Sequence, residues 1–283
     1  MDRIRKALDL AREERVRPLD AALEAAARPL DATEEAPRLY ESKNVTRLPT
    51  SIEYTKTRTF VPSAALLESN RIIDGSSVSP AAAAFRMLRT QVLQRMEEHS
   101  WRSLAVLSPG SDDGKTTMAI NLAVTLAGDH RHTVLLVDFD LKRPTIAEKL
   151  GIAPEMGADD ILRGRARIEE CLYHPENFDR LVVLPARAAM DDSSETLAGP
   201  RCRELVTELR GRYPDRILVF DLPPILGADD ALAFVPLVEC ALVVVAEGST
   251  RRDDLLRCME LLRKTPVVGT VLNRATDVTS AYG

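Results

Sequence analysis

Cysteine is scarce and scattered. Cys171, Cys202, Cys240 and Cys258 form no CxxC pair, and no histidine stands at zinc-ligand spacing to them. This argues against a cysteine-held metal and for four buried or half-buried thiols. Long apolar runs are missing too: none reaches the roughly 18 to 20 residues of a bilayer span, and the opening MDRIRKALDLAREERV mixes charges where a signal core would be apolar. A cytoplasmic location is expected. Neither terminus carries a long basic block, and a formal net charge of -5 with a pI near 5.6 leaves no electrostatic footprint for nucleic acid.

What is present is a chain of 283 residues, 45% hydrophobic, which is enough for one large domain or a domain with an appended arm. Ile4, Ala7, Leu8 and Ala11 recur at helical spacing and predict a short amphipathic helix. From about Pro29 to Phe60 the composition turns polar and loses its period, as a linker or disordered stretch does. Residues 1–75 are therefore expected to be an arm, partly disordered, and residues 76–283 the domain. Within AAAAFRMLRTQVLQRMEE, Phe85, Leu88, Val92 and Met96 mark one helical face, with Arg86 and Arg89 on another. Further on, the runs TVLLVDFD, LVVLP, RILVFDLPP, ALVVVAEG and PVVGTVLN alternate with helix-length segments. Continuous Val/Ile/Leu runs of this kind predict an α/β fold, a doubly wound and mostly parallel sheet covered on both faces, with functional loops at the carboxyl ends of the strands.

One such loop is SPGSDDGKTT, Ser108 to Thr117. The strict phosphate-loop pattern GxxxxGK[ST] fails because Pro109 holds the first glycine position. The context fits nonetheless: a strand, a small-residue loop, then Gly114, Lys115 and Thr116 opening a helix, which aims N–H groups and the positive helix end at phosphate oxygens. On this reading Gly110, Ser111, Asp112, Asp113, Gly114, Lys115, Thr116 and Thr117 line a nucleotide, with Lys115 on the phosphates and Thr116 on magnesium. Asp138 and Asp140 end one strand and Asp221 another, where acids beside a phosphate loop suit a hard cation. ATP and Mg2+ are the expected cofactors. The alternative for each acid is ordinary strand-terminating turn chemistry.

These segments resemble the bacterial tyrosine kinases (BY-kinases) of capsule and exopolysaccharide loci, relatives of the Mrp and MinD-type ATPases. The resemblance rests on SPGSDDGKTTMAINLA, VLLVDFDLKRP and ILVFDLPPILGADD, supported by SSETLAG, LVVVAEGST and VVGTVLN, and runs from about Pro80 to Asn273. The N-terminal helix and polar arm also resemble those of exosortase-associated members. The likeness implies an ATP-dependent tyrosine autokinase, or kinase-like ATPase, regulating exopolysaccharide assembly. It implies Asp138 as activator of the attacking hydroxyl, Asp140 as metal holder, Asp221 as orienter of a metal-bound water and Asn273 as reader of the adenine. It also implies a homo-oligomer using Arg86 and Arg89, recruited to the inner membrane face by the cytoplasmic tail of a polysaccharide co-polymerase.

Four departures qualify the match. Asp112 replaces a usual glycine, Lys142 replaces an arginine, Ala83 replaces the glutamate of an ExxRxxR motif, and the tail ATDVTSAYG holds only Tyr282 where a tyrosine cluster is usual. Asp113 stands where the family often has glutamate and is expected to face solvent. Asp112 adds a negative charge near phosphates, although aspartate tolerates the left-handed backbone such a loop needs. A non-kinase regulatory ATPase or nucleotide-bound scaffold stays open as an alternative. A MinD or ParA-type positioning ATPase is disfavoured, because its signature lysine position is Gly110 here.

Overall fold

The computed structural model describes residues 57–74, 78–213 and 215–275. Its strands are β1 (Arg58–Phe60), β2 (Ser103–Leu107), β3 (Thr133–Asp138), β4 (Tyr173–Pro175), β5 (Leu181–Leu184), β6 (Arg216–Asp221), β7 (Cys240–Ala246) and β8 (Val267–Asn273). They form one sheet in the order β1-β4-β5-β3-β6-β2-β7-β8, parallel throughout except where β4 meets β5 at Tyr173 and Val183. The helices are α1 (Ala64–Ser69), α2 (Pro80–Glu98), α3 (Lys115–Ala127), α4 (Ile146–Leu150), α5 (Ala158–Leu162), α6 (Ser193–Ala198), α7 (Pro200–Arg212), α8 (Asp230–Phe234) and α9 (Arg252–Leu261).

The strand composition follows from double coverage. In β2 the side chains of Leu104 and Val106 enter one core layer and those of Ala105 and Leu107 the other, and β3 divides Val134 and Leu136 from Leu135 and Val137 in the same way. Neither face meets water, so no polar residue alternates with the apolar ones. The first layer is closed by α2 and α3. Ser79 caps α2 by accepting from the Ala82 N–H at 3.2 Å, Pro80 begins the helix, and Val92 and Met96 are buried while Phe85 and Leu88 pack partly beneath it. The second layer holds Phe139, Phe220 and Phe234, whose ring centroids lie 4.9–5.5 Å apart. All four cysteines are free and buried.

Residues 58–74, assigned to the arm from the sequence, are part of this fold. β1 pairs with β4, Ile72 and Ile73 enter the first core layer, and Asn121 on α3 accepts from the Ile73 N–H at 2.7 Å and donates to the Arg71 carbonyl at 2.9 Å. A three-residue strand is too short to show a period, and its burial depends on β4 far along the chain. The expected helix near Ile4, the polar stretch up to residue 56, and Tyr40, Tyr54 and Tyr282 lie outside the described residues. Among the described residues no helix is long and apolar enough to cross a membrane.

Candidate functional site

The parallel strands β3, β6 and β2 run side by side, so their carboxyl ends emerge together. Three segments meet there: residues 108–114 after β2, residues 139–145 after β3, and residues 222–229 after β6. The first is the loop singled out in the sequence. Asp112 takes φ +63°, the left-handed conformation that its side chain was expected to tolerate, and Gly114 follows at φ +88°. A Cβ at Gly114 would lie 2.2 Å from Asn273 Nδ2 and displace that side chain, and the left-handed backbone itself favours glycine.

Asp113 does not face solvent. Its carboxylate is buried inside the loop, where Oδ2 accepts the Gly110 N–H at 3.1 Å and Oδ1 accepts the Thr250 hydroxyl at 2.8 Å. Two charge-assisted bonds offset the burial of the charge, and the Gly110 N–H is thereby engaged within the loop. The Thr250 hydroxyl in turn accepts from the Ala246 N–H at 2.8 Å, tying the loop to the end of β7. The Asn273 side chain is likewise directed at the loop: Nδ2 donates to the Asp113 carbonyl at 2.9 Å, and Oδ1 accepts the Arg274 N–H at 2.9 Å. The Asn273 amide, expected to read the adenine, thus commits one of its N–H groups to the loop and one lone pair to its own neighbour.

The acids behave differently. Asp138 and Asp221 are Cα partners across β3 and β6, about 4.8 Å apart by strand spacing. Both are fully buried. Asp138 Oδ2 accepts the N–H groups of Thr145 and Ile146 at 3.1 and 3.0 Å, whereas Asp138 Oδ1 and both Asp221 oxygens have no hydrogen-bond partner. Burial, reinforced by the neighbouring Asp221, raises the Asp138 carboxyl well above the usual carboxylate range. Burial pushes Asp221 up to about 6, with Lys115 and the Thr116 hydroxyl pulling the other way. Asp140 is satisfied: Oδ2 pairs with Lys115 Nζ at 2.6 Å and Oδ1 accepts the Arg143 N–H at 3.2 Å. Burial acts to lower Lys115, but Asp221, Asp140 and Asp138 together raise it, so the ammonium stays charged.

A cavity of 340 Å³ opens over these groups, lined by Ser111, Asp112, Gly114, Lys115, Thr116 and Thr117 of the loop, with Asp140 beside them. Its wall adds Arg143, Lys149 and Arg274, so four cations face two carboxylates, a balance suited to a polyanion. Sequence reading missed these three cations. Arg143 stood within DLKRP, but nothing local marks Lys149 or Arg274 as neighbours of the loop. Lys142 turns away to pair with the buried Asp230 of α8 at 2.9 Å, which fixes the segment between Asp140 and Arg143. Of the two proposed interface arginines, Arg86 lies on the exposed side of α2, while Arg89 Nη1 donates to the Thr125 carbonyl of α3 at 3.3 Å.

Among the described residues no group of three or more His, Cys, Asp or Glu side chains is arranged to hold a metal ion. Magnesium needs no such cage, since it is held by one or two carboxylates plus substrate phosphates and waters. The Asp221 oxygens, which make no well-formed hydrogen bond and lie beside the Thr116 hydroxyl, fit that requirement, and the fully engaged Asp140 fits it less well.

Comparison with known proteins agrees with this geometry. Residues 104–282 match the family model described as the CobQ/CobB/MinD/ParA nucleotide binding domain. The Bacillus subtilis (strain 168) tyrosine-protein kinase YwqD is 27% identical over 202 residues, covering 70% of this chain and 84% of that protein. The succinoglycan biosynthesis transport protein ExoP of Rhizobium meliloti (strain 1021) is 31% identical over 215 residues, which cover 74% of this chain but 27% of ExoP. The chain therefore spans about a quarter of ExoP's length and most of YwqD's. Among solved structures, the VpsO kinase domain superposes with a TM-score of 0.62 at 29% identity, covering 69% of this chain and 95% of that domain.

Proposed function

The chain belongs to the CobQ/CobB/MinD/ParA nucleotide-binding family, and we propose that within it the protein is an ATP-dependent tyrosine autokinase that regulates exopolysaccharide assembly. The observation that carries this reading is the half-engaged carboxylate of Asp138. Two backbone N–H groups fix one oxygen and leave the other free, beside a lysine-bearing phosphate loop. A base needs that combination of fixed orientation and one uncommitted oxygen, and its raised proton affinity suits it to accept a phenolic proton.

In the reaction, a bond forms between the tyrosine oxygen and the γ-phosphorus. The bond from that phosphorus to the β–γ bridging oxygen breaks, leaving ADP, and the phenolic proton passes to Asp138 Oδ1. Lys115, Arg143 and Lys149 neutralise the phosphate charge, and the loop N–H groups orient it. Thr116 and Asp221 would hold magnesium, which when bound supplies further charge neutralisation. Asp140 keeps Lys115 placed. The names of YwqD, a tyrosine-protein kinase, and of ExoP, a succinoglycan transport protein, support the kinase and polysaccharide parts of the reading. Homo-oligomerisation through the α2 face carrying Arg86, and recruitment to the inner membrane surface by a co-polymerase tail, belong to the same proposal.

Incubating the protein with magnesium and γ-labelled ATP tests it. Label should enter tyrosine in the wild type, Tyr282→Phe should remove most of it, and Lys115→Ala should abolish it together with ATP binding. The same assay separates a second reading, a regulatory ATPase. Phosphate release without labelled protein would select that reading and overturn the kinase.

A further inference from the structure

Resting on the nucleotide reading of this site, we infer that Asn273 and Arg274 are positioning residues that brace the phosphate loop through two of its carbonyls, and that this brace contributes to polyphosphate affinity. The argument begins with the peptide plane. In a trans peptide the carbonyl of one residue points opposite to the N–H of the next. A loop that turns N–H groups toward an anion must therefore turn carbonyls outward, and each outward carbonyl needs a donor.

Two successive carbonyls here have such donors, and both come from the end of β8. The Asp112 carbonyl accepts from Arg274 Nη2 at 2.6 Å, and the Asp113 carbonyl accepts from Asn273 Nδ2 at 2.9 Å. Holding those two oxygens directs the N–H groups of Asp113 and Gly114 to the opposite side. The brace is itself fixed. The Arg274 N–H is held by Asn273 Oδ1, and the Asn273 carbonyl accepts the Glu247 N–H, each at 2.9 Å. Among the described residues, Asp112 and Arg274 are also two of the four non-glycine residues with positive φ, at 63° and 59°, and they are bonded to each other. Left-handed conformations at ordinary residues persist where their surroundings over-determine them. The brace commits one N–H and one lone pair of the Asn273 amide, which fixes that side chain against the loop.

The test is titration of the whole chain with ATP, GTP and inorganic tripolyphosphate in magnesium. Arg274 is exposed, so Arg274→Ala should melt as the wild type does. It and Asn273→Ala should each weaken all three ligands alike, by about tenfold, leaving the ATP-to-tripolyphosphate ratio unchanged. Arg274→Lys, which keeps a donor, should recover much of the loss. Loss confined to ATP would overturn the brace and restore Asn273 as a base reader, and unchanged affinity for every ligand in both alanine variants would overturn it equally. A wild-type chain that binds none of the three would instead overturn the nucleotide reading on which the brace depends.

Discussion

Asp113 and Asp221 are both buried carboxylates at the carboxyl end of the sheet, and they are held in opposite ways. Asp113 gives one oxygen to the Gly110 N–H and the other to the Thr250 hydroxyl. Neither Asp221 oxygen makes a well-formed hydrogen bond, the Thr116 hydroxyl beside it only easing its charge, and its register partner Asp138 keeps one oxygen unengaged. A buried acid with matched donors holds a shape, and its charge is offset locally. A buried acid without them raises the energy of its surroundings until a proton, a cation or a substrate arrives. By this criterion the loop aspartate is a strut and the strand-end aspartates are the chemical groups of the proposed reaction, although in the sequence Asp113 stood as a loop acid expected to face solvent.

The sharpest way to break the comparison is to neutralise each type in turn. Asp138→Asn should lower phosphotyrosine formation by at least about a hundredfold while the chain still folds and binds ATP, because a proton acceptor is lost and no structural bond to the free oxygen exists to lose. Retained activity in that variant would remove Asp138 from the chemistry. Asp113→Ala should do the reverse. It leaves the Gly110 N–H and the Thr250 hydroxyl unpaired, and urea denaturation should record a loss of about 2 kcal/mol. Unchanged stability would show that the strut carries no load.

A smaller effect comes from pH. Asp221 is raised from 3.8 to about 6. Between those values the folded chain holds a proton that the unfolded chain lacks. The stabilisation is complete below the unfolded value and is lost as pH rises through the folded one. The wild type should therefore be more stable at pH 5 than at pH 7 by about 1 kcal/mol relative to Asp221→Asn, in which this dependence is flattened. Parallel pH profiles for the two proteins would place the titration elsewhere. The smallest effect belongs to Asp112→Gly, whose backbone already sits where glycine is at ease. ATP should bind about threefold more tightly at low salt, fading as screening increases. Weaker binding in Asp112→Gly would show that the carboxylate serves the site.

Much of this arrangement was legible in the chain. The sheet was readable because doubly covered strands must be apolar at every position, which is a local property. Lys115, Asp138 and Asp221 were readable because a glycine-lysine loop and strand-terminal acids are short motifs. The orientation of Asp113 was not readable, since the deciding donor, Thr250, lies 137 residues away, and Asn273 meets the Asp113 carbonyl across 160 residues. Lys149 and Arg274 carry no local mark of the cavity they line. β1 escaped notice because three residues cannot display a period, and the chain around it is polar.

The packing of Phe139, Phe220 and Phe234 bears on which changes this region can survive. Phe139 separates Asp138 from Asp140, and Phe220 precedes Asp221, so ring and carboxylate alternate along both strand ends. Substitutions act on one position at a time, whereas an insertion or deletion of one residue within VDFD exchanges the two faces at a stroke. It would drive a carboxylate among three rings and set a ring over the cavity. Length variation should therefore be excluded from residues 137–140 and 219–221 even in lineages where individual side chains there drift, which makes spacing, more than identity, the hereditary constraint on this stretch.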